Sequence, residues 1–439
     1  MPRDKLVTGI DVGSSKITTV IAAVDKENKA SVVGVSTVDS RGMRKGQVVD
    51  IDEMVAAISA GIDSAERMAG VSIGEAFVSA GGSHIQSLNS KGVVAVSEPE
   101  GEITVEDVKR VIGAAKAVSL PSSREILHVI PRGYTVDGQE GVKDAIGMTG
   151  VRLEVEAQIV TGATTALRNL AKCIAEVGVD VSGMVYAGLS SAQAVLSETE
   201  KELGVILVDI GAGTTDIAIY ADGALSYSAV LPVGAKNVTN DLAVGLRVSL
   251  ESAEKIKLML GEKPKYAVTG DDALVKEEKT DKKSADEIDI SQLELPEELK
   301  KVSRKTLVEG IIKPRLSEIF TFVGMEIQKS GFGGLTPSGV VITGGGAETV
   351  GVLEVCRTRL QMPCRIGVPV LGSATGVTGL VDELASPRYA TVVGLIQYGK
   401  ANAIPRRDLP RVPSFANMAQ NLPLKFLPKL GNFIKGFLP

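Results

Sequence analysis

The sequence has no tryptophan, and aromatic residues make up only 3% of its 439 positions. There are two histidines and three cysteines, and Cys173, Cys356 and Cys364 are too far apart in sequence to read as a metal motif. That odd, scattered set excludes a disulfide scaffold or zinc module and points to a reducing cytosol. No run approaches the roughly 18 apolar residues that span a bilayer. The opening, MPRDKLVTGIDVG, lacks the apolar core of a signal peptide. An excess of basic charge is missing too: 48 Lys and Arg stand against 53 Asp and Glu, for a net charge of −5. Nucleic acid is therefore not an expected partner, because phosphate contacts need a basic face.

Glycine, by contrast, is abundant at 48 residues, which calls for many tight turns and close backbone approaches. The length favours two or more lobes over a single core. Two segments resemble each other across the chain: LVTGIDVGSSKITTVIAAVD (6–25) and GVILVDIGAGTTDIAIYADG (204–223). Each reads as an apolar strand ending in Asp, a glycine turn with small hydroxyl residues, and a second β-branched strand. Counted to the last turn glycine, the second turn reads as two residues longer than the first.

Such turns suit phosphate. Gly13, Gly211 and Gly213 let backbone amides converge on an anion with no Cβ in the way. Ser14, Ser15, Thr214 and Thr215 add short hydroxyl donors, and Lys16 can reach a terminal phosphate. Asp11 and Asp209 would repel phosphate but can hold Mg²⁺ through water. A third turn, Gly344-Gly345-Gly346 in GVVITGGGAETVGVLEVC, lies between a strand pattern and a helical one. Backbone can lie flat against a ligand there, and a helix N-terminus favours anions. The pattern predicts an α/β protein with a duplicated core closing on a polyphosphate.

The two Asp-headed turns and ITGGGA resemble the phosphate and adenosine motifs of the actin, Hsp70 and sugar-kinase superfamily. KGQVVDIDEMVAAI (45–58), SAGGSHIQSLNSKGVVAV (79–96), DGQEGVKDAIGMTGVRLEV (137–155) and LPVGAKNVTNDLAVGLRVSLESAEKIK (231–257) are similar, within it, to the FtsA family of bacterial cell-division proteins. The resemblance runs from about residue 6 to about 398, and implies an actin-like ATPase fold of two lobes with ATP and Mg²⁺ between them. The implied divisions are a first-lobe core of 1–82 and 162–201, an FtsA-type small subdomain of 83–161, a second-lobe core of 202–233 and 310–398, and its subdomain of 234–309. It also implies polymerisation into actin-like protofilaments and tethering of FtsZ, through its C-terminal peptide, to the cytoplasmic face of the membrane. Links to later division proteins are implied as well. Glu254 and Lys257 match residues flanking the adenosine, and Arg304 and Arg315 match the segment that receives the FtsZ tail.

One departure bears on chemistry. Where the family commonly carries Glu-Pro, this chain has Ala187-Gly188. With no acid there to place the attacking water, either Gln193 or Asp209 is left for that task, and hydrolysis stays open. The charged run at 275–301 reads as a solvated loop.

The last residues differ from everything before them. Residues 399–421 carry three prolines and read as a flexible linker. In 422–439, Leu427, Leu430, Phe433, Ile434, Phe437 and Leu438 share one helical face while Lys429 and Lys435 lie opposite, with no acid in the segment. This is the pattern of an interfacial amphipathic helix on an anionic membrane surface, and it matches the family's membrane-targeting helix. A sugar-kinase-like phosphotransferase and a type IV pilus assembly ATPase of the same fold remain alternatives.

Overall fold

The computed structural model describes residues 5–97, 101–261, 286–297, 299–372 and 375–402. The chain opens with a hairpin, β1 (Lys5–Val12) and β2 (Lys16–Val24), extended by β3 (Ala30–Asp39) and a small ribbon, β4 (Met43–Arg44) and β5 (Gln47–Val48). Helix α1 (Ile51–Ala69) starts where Asp50 accepts the Glu53 amide at 3.0 Å and stops at left-handed Gly70. Its Met54, Ile58 and Ile62 recur at helical spacing and pack with Ile10, Ile17 and Val78 in one apolar cluster. Strand β6 (Glu75–Ala80) joins this sheet parallel to β1.

A separate antiparallel sheet comes next, β7 (Gln86–Ala95), β8 (Arg124–Val136), β9 (Gln139–Val142) and β10 (Arg152–Ala163), in the order β7-β10-β8-β9. Helix α2 (Val105–Lys116) opens on a capping box between Thr104 and Asp107 and lies against it. The contact is tight at Gly92, where an added Cβ would sit 2.1 Å from the Val111 carbonyl oxygen. The chain then returns to the first sheet through α3 (Thr164–Glu176) and β11 (Asp180–Tyr186), which pairs with β6.

Helices α4 (Ala187–Val195) and α5 (Glu198–Leu203) lead to the second lobe. There β12 (Val205–Ile210) and β13 (Thr215–Ala221) form a hairpin buried along its whole length, flanked by β14 (Ala224–Leu231). After them stand helices α6 (Ala235–Leu246) and α7 (Leu250–Gly261), then the short pair β15 (Glu287–Asp289) and β16 (Lys301–Ser303). Next come α8 (Arg304–Leu307), a π-helical turn at Val308–Ile312, and α9 (Lys313–Ser330). Strand β17 (Val340–Thr343), α10 (Val352–Leu360) and β18 (Cys364–Ile366) complete the second sheet. Last are β19 (Val377–Gly379) and α11 (Ala390–Asn402).

The duplication is plain in the strand orders. One sheet runs β11-β6-β1-β2-β3-β19 and the other β14-β13-β12-β17-β18. Each holds an antiparallel meander (β1-β2-β3, β12-β13-β14) whose first strand has a parallel neighbour (β6, β17) on its other side.

Four sequence expectations are corrected. The two Asp-headed turns are equal in length: Val12 pairs with Ile17 and Ile210 with Thr215, leaving four residues in each. Gly13 N–H donates to the Lys16 carbonyl at 3.0 Å, and Gly211 N–H to that of Thr214 at 2.9 Å. Gly213 is thus the counterpart of Ser15, and counting to the last glycine misaligned the copies. Second, part of the charged run is not a loop, since β15 pairs with β16 and Ile290 and Leu295 are buried in the second-lobe core. Third, the segment placed at the end of the second lobe returns to the first. Strand β19 pairs with β3, and α11 crosses β1 so closely that a Cβ on Gly9 would meet Leu395 Cβ at 3.0 Å. Fourth, the linker does not begin at 399, because 399–402 are the last residues of α11 and Gly399 is buried against Val7 and Phe77. Residues 403–439, with every residue assigned to the membrane helix, lie outside the described residues. No helix among the described residues is long and apolar enough to cross a membrane.

Candidate functional site

Asp11 is the last residue but one of β1, Asp209 is the last but one of β12, and both line one cavity of about 570 Å³ between the lobes. That volume lies in the range of small-ligand sites. The turns after them face each other: an added Cβ on Gly213 would sit 2.9 Å from Ser14 Oγ. Ser14 Oγ in turn accepts the Gly46 amide at 3.1 Å. Gly13, Ser14, Ser15, Lys16, Gly211, Gly213, Thr214, Glu254, Lys257 and Gly344 to Gly346 all border the cavity. Thr215 does not: its hydroxyl donates to the Val233 carbonyl at 2.8 Å and is spent in the fold.

Each aspartate is held by hydroxyl groups. Ser79 donates to Asp11 Oδ1 at 2.7 Å while its Oγ accepts the Val12 amide at 3.0 Å. Ser191 donates to Asp209 Oδ2, and Thr391 Oγ1 lies 3.3 Å from the same oxygen. Burial pushes both carboxyls up. Asp11 is partly offset by Ser79 and Lys16, and Asp209 reaches about 6 against the opposing bond from Ser191. Asp216, directly opposite Asp209 in the strand register, is pushed up by burial and by its two acidic neighbours. Burial thus disfavours the anionic form of all three carboxyls, and chiefly burial lowers Lys16 to about 8. Lys16 Nζ rests 4.2 Å from the centroid of the Tyr389 ring.

Two of the three glycines of the third turn are required by contact. Gly344 has φ +80°, and a Cβ there would lie 2.2 Å from Asp209 Oδ1. Gly346 is pressed onto Ile210, with a Cβ falling 2.4 Å from Cγ2. The turn leads into a short 3₁₀ helix at Gly345–Glu348 rather than an α-helix, since α10 begins only at Val352. Across the cavity, Lys257 is buried and donates to Glu254 Oε2 at 2.7 Å and Thr239 Oγ1 at 2.9 Å. The burial of Lys257, beside a Glu254 side chain that stays 43% exposed, sets this pair apart from an ordinary surface ion pair. Arg388 closes the same end through Glu348, with Nε 3.1 Å from Oε1.

The geometry does not support Gln193 as the water-placing group. It lies two residues beyond Ser191 on α4, about 200° further round the helix, and is not among the cavity residues. Its Oε1 is buried with no hydrogen-bond partner among the described residues. Arg304 is exposed at the start of α8. Arg315 is half-buried and already engaged, with Nε 2.6 Å from Asp241 Oδ2 and a second bond to Glu318. Sequence reasoning passed over Ser79, Ser191, Asp216, Glu348, Arg388, Tyr389 and Thr391. Only Asp216 and Ser79 had a local signal, as the end of GAGTTD and the start of SAGGSH.

The residues fit a nucleoside triphosphate with a divalent cation. Gly344 forms a cradle that a Cβ would fill, and hydroxyl and amide donors ring two acids suited to a hydrated cation. Asp11 and Asp209 would hold the metal, the two four-residue turns and Lys16 the phosphates, and Glu254, Lys257 and the third turn the nucleoside.

A profile described as the SHS2 domain inserted in FTSA matches residues 82–161, and one described as cell division protein FtsA matches 206–394. The cell division protein FtsA of Pseudomonas aeruginosa is 40% identical over 405 residues, covering 90% of this chain and 89% of its own. That of Bacillus subtilis is 38% identical over 403 residues (92% and 85%), and that of Escherichia coli (strain K12) 35% over 403 residues (90% of each). Among solved structures, a PilM-PilN type IV pilus biogenesis complex is similar at TM-score 0.59 and 14% identity, covering 90% of this chain and 98% of that one. MreB 5 of Spiroplasma citri bound to AMPPNP is similar at TM-score 0.50 and 12% identity, covering 96% and 100%. At those identities the structural likeness speaks to an actin-like fold alone. The sequence likeness says more, and the chain belongs to the FtsA family of cell-division proteins.

Proposed function

We propose that this protein binds ATP with Mg²⁺ between its lobes, polymerises as an actin-like protofilament on the inner face of the cell membrane at the division site, and anchors FtsZ there. The observation that carries the nucleotide reading is the pair of equal Asp-headed turns on opposite walls of one cavity. AMPPNP bound to the MreB 5 relative of this fold is in keeping with it. Division rather than pilus assembly or sugar phosphorylation follows from family membership.

The membrane and FtsZ parts rest on the chain's own residues. The 422–439 segment carries an apolar face and three lysines without an acid. So short a helix binds marginally alone, and polymerisation multiplies it through effective concentration. The FtsZ C-terminal peptide, with its acids, would meet Arg304 and Arg315 in the second lobe, and later division proteins would gather on the filament. The experiment is cosedimentation with anionic liposomes, with and without ATP·Mg²⁺, FtsZ and residues 422–439, viewed by electron microscopy. Filaments on liposomes that recruit FtsZ only when the tail is present are the expected result. Recruitment independent of tail and nucleotide would sink the reading.

A further inference from the structure

Two of the three cysteines meet outside the cavity. Cys356 lies in the middle of α10, and Cys364 opens β18, the strand at the edge of the second-lobe sheet. Between them the chain reverses through Gln361, which is left-handed at φ +54°, and Pro363. The reversal leaves the two Sγ atoms 2.8 Å apart, both as free thiols. A further approach of about 0.8 Å would bring them to the bonded distance of about 2.05 Å.

Their surroundings differ. Cys356 is wholly buried in the second-lobe core, whereas Cys364 keeps 7% of its surface exposed at the sheet edge. Cys364 Sγ lies 3.2 Å from the Met362 carbonyl oxygen, so it can donate there while accepting from the Cys356 thiol. Arg357 donates to the Cys364 carbonyl at 3.0 Å. The bond from Cys356 and the Arg357 charge hold the Cys364 thiol below its usual range against burial, and the same bond and burial push Cys356 up. Cys173 sits apart from both, in the core cluster of the first lobe.

We propose that Cys356 and Cys364 form a two-electron oxidation site, at which a small hydroperoxide closes a disulfide that ties α10 to the edge of the second-lobe sheet. Cys364, as thiolate, attacks one peroxide oxygen. The O–O bond breaks, the departing oxygen leaves as water once protonated, and Cys364 becomes a sulfenic acid. Cys356 then gives up its proton and attacks that sulfur, and the S–O bond breaks to release a second water. Two thiols lose two electrons, and hydrogen peroxide takes them up to become two waters. A dithiol reverses the step by exchange. Strand β18 has three residues and ends the sheet beside β17, so the link secures a short margin of the second lobe. The site stands independently of the nucleotide reading.

The test treats the full, reduced chain with hydrogen peroxide, blocks the remaining thiols with N-ethylmaleimide in denaturant, and maps tryptic peptides by mass spectrometry. Trypsin cuts after Arg357, Arg359 and Arg365, so the disulfide joins two separate peptides. The expected result is that linked pair, two hydrogens lighter than its parts and released by dithiothreitol, with Cys173 still alkylated. The oxidised chain is expected to melt a few degrees above the reduced one. In Cys356→Ala, dimedone should trap Cys364 as the sulfenic acid, and peroxide should not raise the melting temperature. In Cys364→Ala, Cys356 should stay reduced. Thiols at 356 and 364 that survive until Cys173 is also oxidised would overturn the proposal, as would a disulfide that leaves the melting temperature unchanged. Should either variant fail to fold, the peptide map and melts of the native chain decide alone.

Discussion

His128 Nε2 accepts the backbone amide of Tyr186 at 2.9 Å, deep under the junction of the inserted sheet and the cleft. To do so the imidazole must be neutral, and burial lowers its pKa to about 4. An unfolded histidine titrates near 6.5. Between those values the unfolded chain binds the extra proton, so this contribution to stability is full above about pH 6.5 and is lost as pH falls toward 4. The buried acids act with the opposite sign, so the comparison must be made against a variant. The expected outcome is that His128→Gln flattens the stability-versus-pH curve between 4 and 6.5 relative to the native chain, by a few kcal/mol at most. Chemical denaturation at a series of pH values checks it, and parallel curves would refute it.

Gly344 carries two requirements, a left-handed backbone and the absence of a Cβ beside Asp209 Oδ1. Gly344→Ala should therefore lower stability by roughly 1–3 kcal/mol and remove nucleotide binding. Thermal melts and fluorescent-nucleotide titration report the two effects separately. Gly345 is the control, since its added Cβ would meet nothing nearer than Arg388 Cβ at 4.0 Å. Gly345→Ala should keep stability within about 1 kcal/mol.

Arg315 is engaged with Asp241 before any peptide arrives, and an acidic peptide must compete with that carboxylate. Asp241→Ala should thus raise affinity for an FtsZ C-terminal peptide, while Arg304→Ala and Arg315→Ala lower it, each by a few-fold. Fluorescence anisotropy of a labelled peptide measures all three. If freeing Arg315 leaves affinity unchanged, its assignment to the peptide fails.

Phe433 lies on the apolar face of the tail pattern. Phe433→Asp should leave liposome flotation near background while ATP affinity stays native, because a charge at the acyl boundary opposes insertion. Continued flotation of this variant counts against the anchor.

Much of the cleft lining was legible because glycine, aspartate and small hydroxyl residues recurring at matched places mark tight turns that present amides and hydroxyls to one space, and Asp11, Asp209, Lys16 and the third turn do border the cavity. The strand register was not, since glycines can sit at different places in turns of one length, and only pairing shows that Gly213 stands where Ser15 does. Residues that reach the cleft from distant segments left no local trace. Thr391 meets Asp209 across 182 positions of chain. The cysteines show the same limit: Cys356 and Cys364 look unrelated in sequence, yet the Gln361 turn brings their sulfurs to 2.8 Å. Gln193 failed for a simpler reason, as helical phase placed it behind Ser191.

Helix α11 starts beside the cleft, with Thr391 near Asp209, and runs about 20 Å to Asn402, the last residue before the tail. Its middle is clamped, for Gly394 sits so close to Ser190 that a methyl group would fall 1.8 Å from the carbonyl oxygen. Tension applied at the carboxyl end of this shaft is therefore borne by the same hydroxyl contacts that steady Asp209. Were the proposed membrane tether to pull there, its load would arrive beside the residues that line the proposed nucleotide cleft.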